Sequence, residues 1–271
     1  MIVITGANGK LGRAIVDRLP AEGLAVSVRD PAEAQDLAAR GVRVRRGDFT
    51  EPDTLRDAFE GATQVLIVSA AATGEEALRR HRAAITAAVE AGARRILYTS
   101  HMGVSATSPF PPMPSHAASE ALLAESGVPF TSLRNGFYAS SGVMMLGHAL
   151  ATGELIAPED GPVSWTTHAD LAQAAAHILT DGGFEGATPP LAAREALDLE
   201  GLAERHGQSI KRVVVSDDDF AAGMRERGVP EWQVEMSLGF FQAARAGEFA
   251  AVDPTLERLL GRPPVSPPEA G

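Results

Sequence analysis

The chain has 271 residues, no cysteine and a formal net charge of −11. Such a length holds one large domain, or a domain plus a small lobe, around a proper core; without cysteine there are no disulfides and no thiolate chemistry. The acidic balance argues against nucleic acid, whose phosphates need clustered Lys and Arg, and no window is long and apolar enough to span a bilayer.

The apolar run Ile2 to Ile4 meets Gly6, Gly9 and Gly12, and an amphipathic stretch from Leu11 to Leu19 follows. A strand that opens the chain is not a targeting segment, so a cytoplasmic protein is the expectation. A strand feeding a helix through a Gly-rich turn has a physical use. The first helical N–H groups lack partners and carry partial positive charge, so they bind a phosphate. Glycines let the backbone turn sharply and approach a pyrophosphate without a Cβ in the way. The first glycine gap is two residues rather than the one of G-x-G-x-x-G, so the pattern draws its weight from the strand before it and the helix after it. Gly6, Asn8, Gly9, Lys10, Leu11 and Gly12 are thus the expected dinucleotide turn. Lys10 equally suits open solvent.

Further strands are expected over 24–29, 42–46, 63–69, 94–100 and 129–134, with helices over 10–19, 31–40, 52–60, 75–91 and 114–126. The strands are near-continuous apolar runs, the look of parallel strands covered on both faces. The run Arg40, Arg43, Arg45 and Arg46 reads as a solvated loop and strand edge. Repeated βα units imply right-handed crossovers and a doubly wound parallel sheet of Rossmann type. Ligands bind beyond the carboxyl ends of such strands. Gly6–Gly12, Arg29–Asp30, Gly47–Phe49, Ser69–Ala72 and Ser100–Gly103 are therefore expected to converge, which brings Ser69, Ala70 and Ser100 into the site.

After residue 134 the pattern loosens. Residues 137–151 read as a helix, 154–166 as a short strand pair around Pro158–Gly161, 170–179 as a helix and 210–215 as a strand, with two or three helices over 217–261. The expected organisation is a dinucleotide-binding core over 1–134, a small α+β substrate lobe over 135–261 packed on it, and a Pro-rich, frayed tail over 262–271. The stripe Trp232, Met236, Phe240 and Phe241 reads as core or as the face of a homodimer.

An acid closing the second strand binds a ribose 2′-OH, whereas an arginine there accommodates a 2′-phosphate. Arg29 and Asp30 are both present. Asp30 before Pro31 suits a helix cap with proline at N1, which leaves Arg29 for the phosphate and favours NADP(H). Asp48 and Phe49 suit the adenine amino group and ring face, while Asp48 also suits a loop cap and Thr50–Asp53 a capping box.

Gly6–Gly12, Val28–Pro31, Gly47–Phe49, Tyr98–Ser100 and Leu133–Tyr138 together resemble the NmrA-like group of atypical short-chain dehydrogenases, in particular its type 2 NADPH-dependent quinone oxidoreductases. The resemblance covers nearly the whole chain. It implies a Rossmann fold, NADP(H) on the turn and Arg29, and a substrate held over the nicotinamide by the C-terminal lobe. No Tyr-x-x-x-Lys pair occurs in the sequence. In the resembled alignment Pro112 stands at the tyrosine position and His116 at the lysine position. A quinone accepts hydride readily, so positioning supplies much of the catalysis without a strong general acid.

His116 is the candidate catalytic and cofactor-binding residue, for the nicotinamide ribose or a proton relay; its alternative is a His116–Glu120 pair stabilising a helix. His101 competes at the crevice, and His168 reads as structural. No histidines stand at the i, i+4 spacing of a helical zinc motif. Asn135 and Gly136 are expected beside the nicotinamide. Phe137, Tyr138 and Trp165 are expected around a small-molecule substrate, with Met144 and Met145 as further lining or core. The function that follows is NADPH-dependent reduction of a quinone or similar electrophile. The alternative, favoured by the missing tyrosine, is a regulatory protein that senses NADP(H) and binds a protein partner.

Overall fold

The structure is a computed structural model and describes residues 1–266. The tail prolines Pro267 and Pro268 lie outside the described residues. The chain opens with β1 (Ile2–Thr5), α1 (Lys10–Val16), β2 (Leu24–Val28), a 3-10 turn (Pro31–Ala34), α2 (Gln35–Ala39), β3 (Arg43–Arg46) and α3 (Pro52–Phe59). It continues through β4 (Gln64–Ile67), α4 (Gly74–Glu90), β5 (Arg95–His101), α5 (Pro112–Glu125) and β6 (Phe130–Asn135). There follow β7 (Phe137–Tyr138), α6 (Ala139–Thr152), β8 (Glu154–Ala157), β9 (Trp165–Thr166), α7 (His168–Asp181) and β10 (Gly186–Ala187). The last elements are α8 (Leu199–Arg205), β11 (Lys211–Val214), α9 (Asp217–Glu226), α10 (Glu231–Arg245) and α11 (Thr255–Leu260).

One compact unit comprises Met1–Ser100, Ser115–Arg134 and His168–Pro189. Its seven-stranded sheet runs β10-β6-β5-β4-β1-β2-β3. β1 pairs in parallel with β2 and β4, β2 with β3, β4 with β5, and β6 with β10. The order reverses at β1, the switch point of a Rossmann-type doubly wound sheet. All five residues of β2 and the last three of β1 and β4 are buried, which explains why these strands read as unbroken apolar runs. α1 packs against α7, and eight of the α7 residues, among them Leu171, Ala174 and Ile178, are buried.

The other unit comprises His101–Pro114, Asn135–Thr167 and Pro190–Gly271. Its core joins Phe110, Phe137, Trp165, Phe240, Phe241 and Phe249. Two small parallel pairs, β8 with β11 and β7 with β9, complete it.

Several expectations need correction. The division is not a single cut at residue 134: residues 168–189 return to the first unit because the buried stripe of α7 packs on α1 and β10 extends the sheet. β8 and β9 do not pair with each other, because each finds a parallel partner elsewhere in the second unit. The stretch 31–40 breaks into a 3-10 turn and a short helix. Thr50 does not cap α3. Glu51 is the N-cap, without a side-chain bond, because Thr50 is tied through its N–H and hydroxyl to the Asp48 carboxylate, both at 2.8 Å. Arg45 is not a solvated edge residue; its guanidinium donates to the carbonyls of Asp57, Ala58 and Glu60 at 3.2, 3.1 and 2.7 Å, closing the C-terminal end of α3. β10 and α8 were not anticipated; a two-residue strand carries no periodic signal.

Candidate dinucleotide site

The turn after β1 is set by sterics. Gly6 has φ +65°, and its carbonyl accepts the Gly9 N–H at 2.9 Å. A Cβ on Gly12 would stand 2.3 Å from that carbonyl oxygen, and one on Gly9 3.3 Å from it. The turn therefore closes this tightly only with bare backbone. Gly9 is the N-cap of α1, without a side-chain bond, so the N–H groups of Lys10, Leu11 and Gly12 have no helical carbonyl to meet.

Four loops at the carboxyl ends of β1 to β4 enclose a cavity of about 720 Å³. Thr5, Gly6, Asn8 and Gly9 line it from the first loop; Ser27, Val28, Arg29 and Glu33 from the second; Gly47 to Thr50 from the third; Val68 to Ala71 from the fourth, with Arg80 from α4. Gly47 permits the close approach of β2, since a Cβ there would lie 2.1 Å from Ser27 Oγ. Asp30 caps the 3-10 turn by accepting the Ala32 N–H at 2.9 Å. Arg29 is exposed, borders the cavity and makes no hydrogen bond or ion pair among the described residues. Glu33 accepts a hydrogen bond from Asn8 Nδ2 at 3.2 Å. The Thr50 backbone N–H holds the Asp48 carboxyl below the usual range against the opposing effect of burial, helped by the Thr50 hydroxyl and by the charges of Arg29 and Arg46.

The cavity fits a dinucleotide. A bare glycine turn faces one side of it, a guanidinium stands at the loop after β2, and the Ser27 hydroxyl on its wall is buried without a hydrogen-bond partner. A model of NAD(P)H-binding proteins matches residues 6–182. Over 284 residues the chain is 31% identical to an NmrA-like family domain-containing oxidoreductase of Aspergillus flavus, spanning 99% of this chain and 92% of that protein. The chain belongs to the NAD(P)H-binding, NmrA-like family. Its cofactor is a nicotinamide dinucleotide. It is also 37% identical to quinone oxidoreductase 2 of Escherichia coli over 97% of this chain and 94% of that one. The structure of the Escherichia coli NADPH-dependent quinone oxidoreductase complexed with NADPH superposes with a TM-score of 0.91 at 34% identity, covering 99% and 98% of the two chains. The relatives of this NmrA-like chain are thus NAD(P)H-dependent oxidoreductases.

Of the residues expected at the site, Gly6, Asn8, Gly9, Arg29, Asp48, Phe49, Ser69 and Ala70 line one cavity. Lys10, Leu11 and Gly12 follow on α1; Lys10 is exposed, whereas the Leu11 side chain is in the core. Ser100 does not line the cavity; it is buried, and its hydroxyl donates to Glu120 at 2.7 Å. Glu120 also holds Arg134 at 2.7 and 3.1 Å, so the pair His116–Glu120 gives way to Arg134–Glu120. His116 is half-buried outside the cavity lining, its Nδ1 2.8 Å from the Tyr98 hydroxyl.

The neighbouring imidazole of His81 belongs to no sequence motif. It lies on the buried face of α4 with Ala77, Ala84, Ile85 and Ala88, and a histidine in that apolar register is the signal that marks it. Burial pushes both imidazoles down to about 4, and for His81 the charges of His116 and Arg80 add to the effect. Each is neutral in the folded chain and takes up a proton more readily when unfolded. Their stabilising contribution is therefore complete above about pH 6.5 and is lost as the pH falls toward about 4. The denaturation midpoint is expected to drop across that window and to stay flat from pH 7 to 8, which denaturant titrations at a series of pH values will show.

In the second unit the expected substrate residues separate. Phe137 is 9% exposed, with its ring against Phe110, Trp165, Phe240 and Phe249 at centroid distances of 5.1–5.7 Å. Trp165 is 1% exposed and donates its indole N–H to the Leu197 carbonyl at 2.8 Å. Both are core residues, because the apolar face of α10 and the 246–254 segment cover them. A Cβ on Gly136 would lie 2.2 Å from Thr166 Oγ1, so the close approach of β9 itself requires glycine there. Tyr138 is half-buried and hydrogen-bonded to the Asn135 side chain, with burial pushing its hydroxyl up to about 12. Met144 is 77% exposed and so is not core, whereas Met145 packs against the core. On α10, Phe240 and Phe241 are buried, while Trp232 is 61% exposed. His101 accepts the Gly103 N–H at its Nδ1 at 3.0 Å. His168 opens α7, its proton affinity lowered by burial and by Lys10. No helix among the described residues is long and apolar enough to cross a membrane.

Proposed function

We propose that the chain is an NADPH-dependent reductase that delivers hydride to a quinone or a similarly polarised small molecule. Arg29 carries the choice of NADPH over NADH. Its guanidinium borders the cavity without a hydrogen bond or ion pair among the described residues, at the end of β2 where the adenosine ribose of a Rossmann ligand lies. The choice of a quinone-like acceptor is supported by Escherichia coli quinone oxidoreductase 2, which the chain matches over nearly its whole length in sequence and in structure.

The reduced dinucleotide, when bound, supplies a hydride. The chain's own residues supply position: the glycine turn and the first amides of α1 receive the diphosphate, Arg29 the 2′-phosphate, and Asp48 and Phe49 the adenine. Converting a quinone to a hydroquinone takes one hydride and one proton; hydride addition leaves a phenolate, an anion stabilised by its ring, which accepts the proton from water. The reaction thus makes little demand for the tyrosine acid that this sequence lacks. His116 remains the candidate contact for the nicotinamide ribose. Asn135 and Tyr138 remain the candidate contacts further along.

Stopped-flow oxidation of NADPH against a panel of benzo- and naphthoquinones tests this reading. Turnover with NADPH exceeding that with NADH is expected. Tight NADP⁺ binding without turnover of any acceptor would replace the enzyme with a sensor of the NADP⁺/NADPH ratio.

A further inference from the structure

We infer that His81 is a positioning residue for the cofactor: by accepting the backbone N–H of Ala70, its imidazole holds the loop after β4 in the shape that lines the dinucleotide cavity. The inference rests on the reading of that cavity as the cofactor site.

β4 ends at Ile67, and the next three amides turn to side chains. The Val68 N–H donates to Thr5 Oγ1 of β1 at 2.9 Å, the Ser69 N–H to Thr99 Oγ1 of β5 at 2.8 Å, and the Ala70 N–H to His81 Nε2 of α4 at 2.9 Å. Val68, Ser69 and Ala70 all line the cavity. Three elements thus each hold one amide of a segment that has left its strand, and His81 holds the outermost.

The hydrogen-bond pattern determines the state of the ring. A backbone amide only donates, so Nε2 carries a lone pair and the proton sits on Nδ1. Nδ1 lies 2.8 Å from Ser119 Oγ, whose own hydroxyl donates to the Ser115 carbonyl at 2.7 Å. Ser115 Oγ in turn receives the Gly74 N–H at 2.8 Å, at the start of α4. The imidazole is neutral, 2% exposed and held at both nitrogens. The groups that face it are the Tyr98 hydroxyl at 3.5 Å from β5, His116 and Ser119 from α5, and Arg80 from α4. His116 and Arg80 both oppose a second proton. That proton would occupy Nε2 and turn the Ala70 acceptor into a donor, breaking the tie.

Two substitutions separate this role from simple packing. His81→Gln places an amide oxygen near the Nε2 position and keeps an acceptor for Ala70. His81→Asn is too short to reach Ala70 and keeps a polar group only on the Ser119 side. Amide hydrogen exchange on the free protein and calorimetric titration with NADPH are the readouts. The Asn variant is expected to exchange the Ala70 amide about tenfold faster and to bind NADPH about tenfold more weakly, with the Gln variant within about twofold of the parent on both. A second readout needs only the parent and the Gln variant: protection at Ala70 in the parent should fade as the pH falls toward about 4, and in the Gln variant it should not. An Asn variant equal to the parent in either measurement overturns the inference, as does a Gln variant as impaired as the Asn one. If the parent itself binds no NADPH, the cofactor reading fails, and the exchange data alone still decide whether His81 holds the loop.

Discussion

Arg29→Ala raises the dissociation constant for NADPH about 10–100-fold and leaves that for NADH within about twofold. The magnitude follows from the loss of charge-assisted hydrogen bonds to a phosphate, about 1.5–3 kcal/mol, at about 1.4 kcal/mol per tenfold. The selectivity follows from geometry. Arg29 is exposed and makes no hydrogen bond or ion pair among the described residues, so its removal breaks none there and takes away only a longer-range charge that acts on Asp48. Asp30, the other group that could read the ribose, is committed to the Ala32 N–H. Glu33 lines the same cavity on the adjoining turn, where its charge opposes a 2′-phosphate and tempers the preference that Arg29 creates. Titration of parent and variant with both dinucleotides at one ionic strength checks the result, since salt screens exposed charges. Equal losses for NADPH and NADH would remove the phosphate assignment while leaving the cavity as a dinucleotide site.

Phe137→Ala costs about 3–5 kcal/mol of stability, the usual range for emptying an aromatic site in a core. The ring meets five other aromatic rings, the His101 imidazole among them, in edge-on or tilted arrangements, so the substitution removes both buried area and favourable ring geometry. The expected consequence is a lower urea midpoint, with the residual folded protein binding NADPH as the parent does. Tyr138→Phe, one residue on, removes only a hydroxyl bonded to Asn135 and is expected to cost far less. A Phe137→Ala protein of unchanged stability but weakened acceptor affinity would return this residue to the substrate site.

The sequence was most legible where a local rule has one physical solution. An apolar run before three glycines before an amphipathic stretch is a strand, a tight turn and a helix. The positive φ of Gly6 and the 2.3 Å approach behind Gly12 show why those positions are glycine. The doubly wound parallel sheet followed from βα repetition and handedness, and the cavity from the rule that ligands sit beyond strand carboxyl ends. Asp30 before Pro31 was readable for the same reason, because the cap and the proline act within three residues of each other.

What only the tertiary structure decided was the partner of each polar or aromatic group. Phe137 and Trp165 carry the composition of a ligand pocket as readily as that of a core, and the covering by Phe240 and Phe249, far along the chain from both, makes them core. Gly136 marks a close approach to the backbone, and only the fold shows that Thr166 makes one. Glu120 sits four residues from His116 yet bonds Arg134 and Ser100, because β5 and β6 bring stronger partners to its carboxylate. His81 shows the limit most plainly. Its burial is written in the period of α4, but its bond to Ala70 depends on where a loop eleven residues earlier comes to rest. Local backbone preferences act over a few residues and leave their mark in the sequence; the pairing of buried polar groups is settled by close packing, which brings together atoms that no spacing in the chain connects.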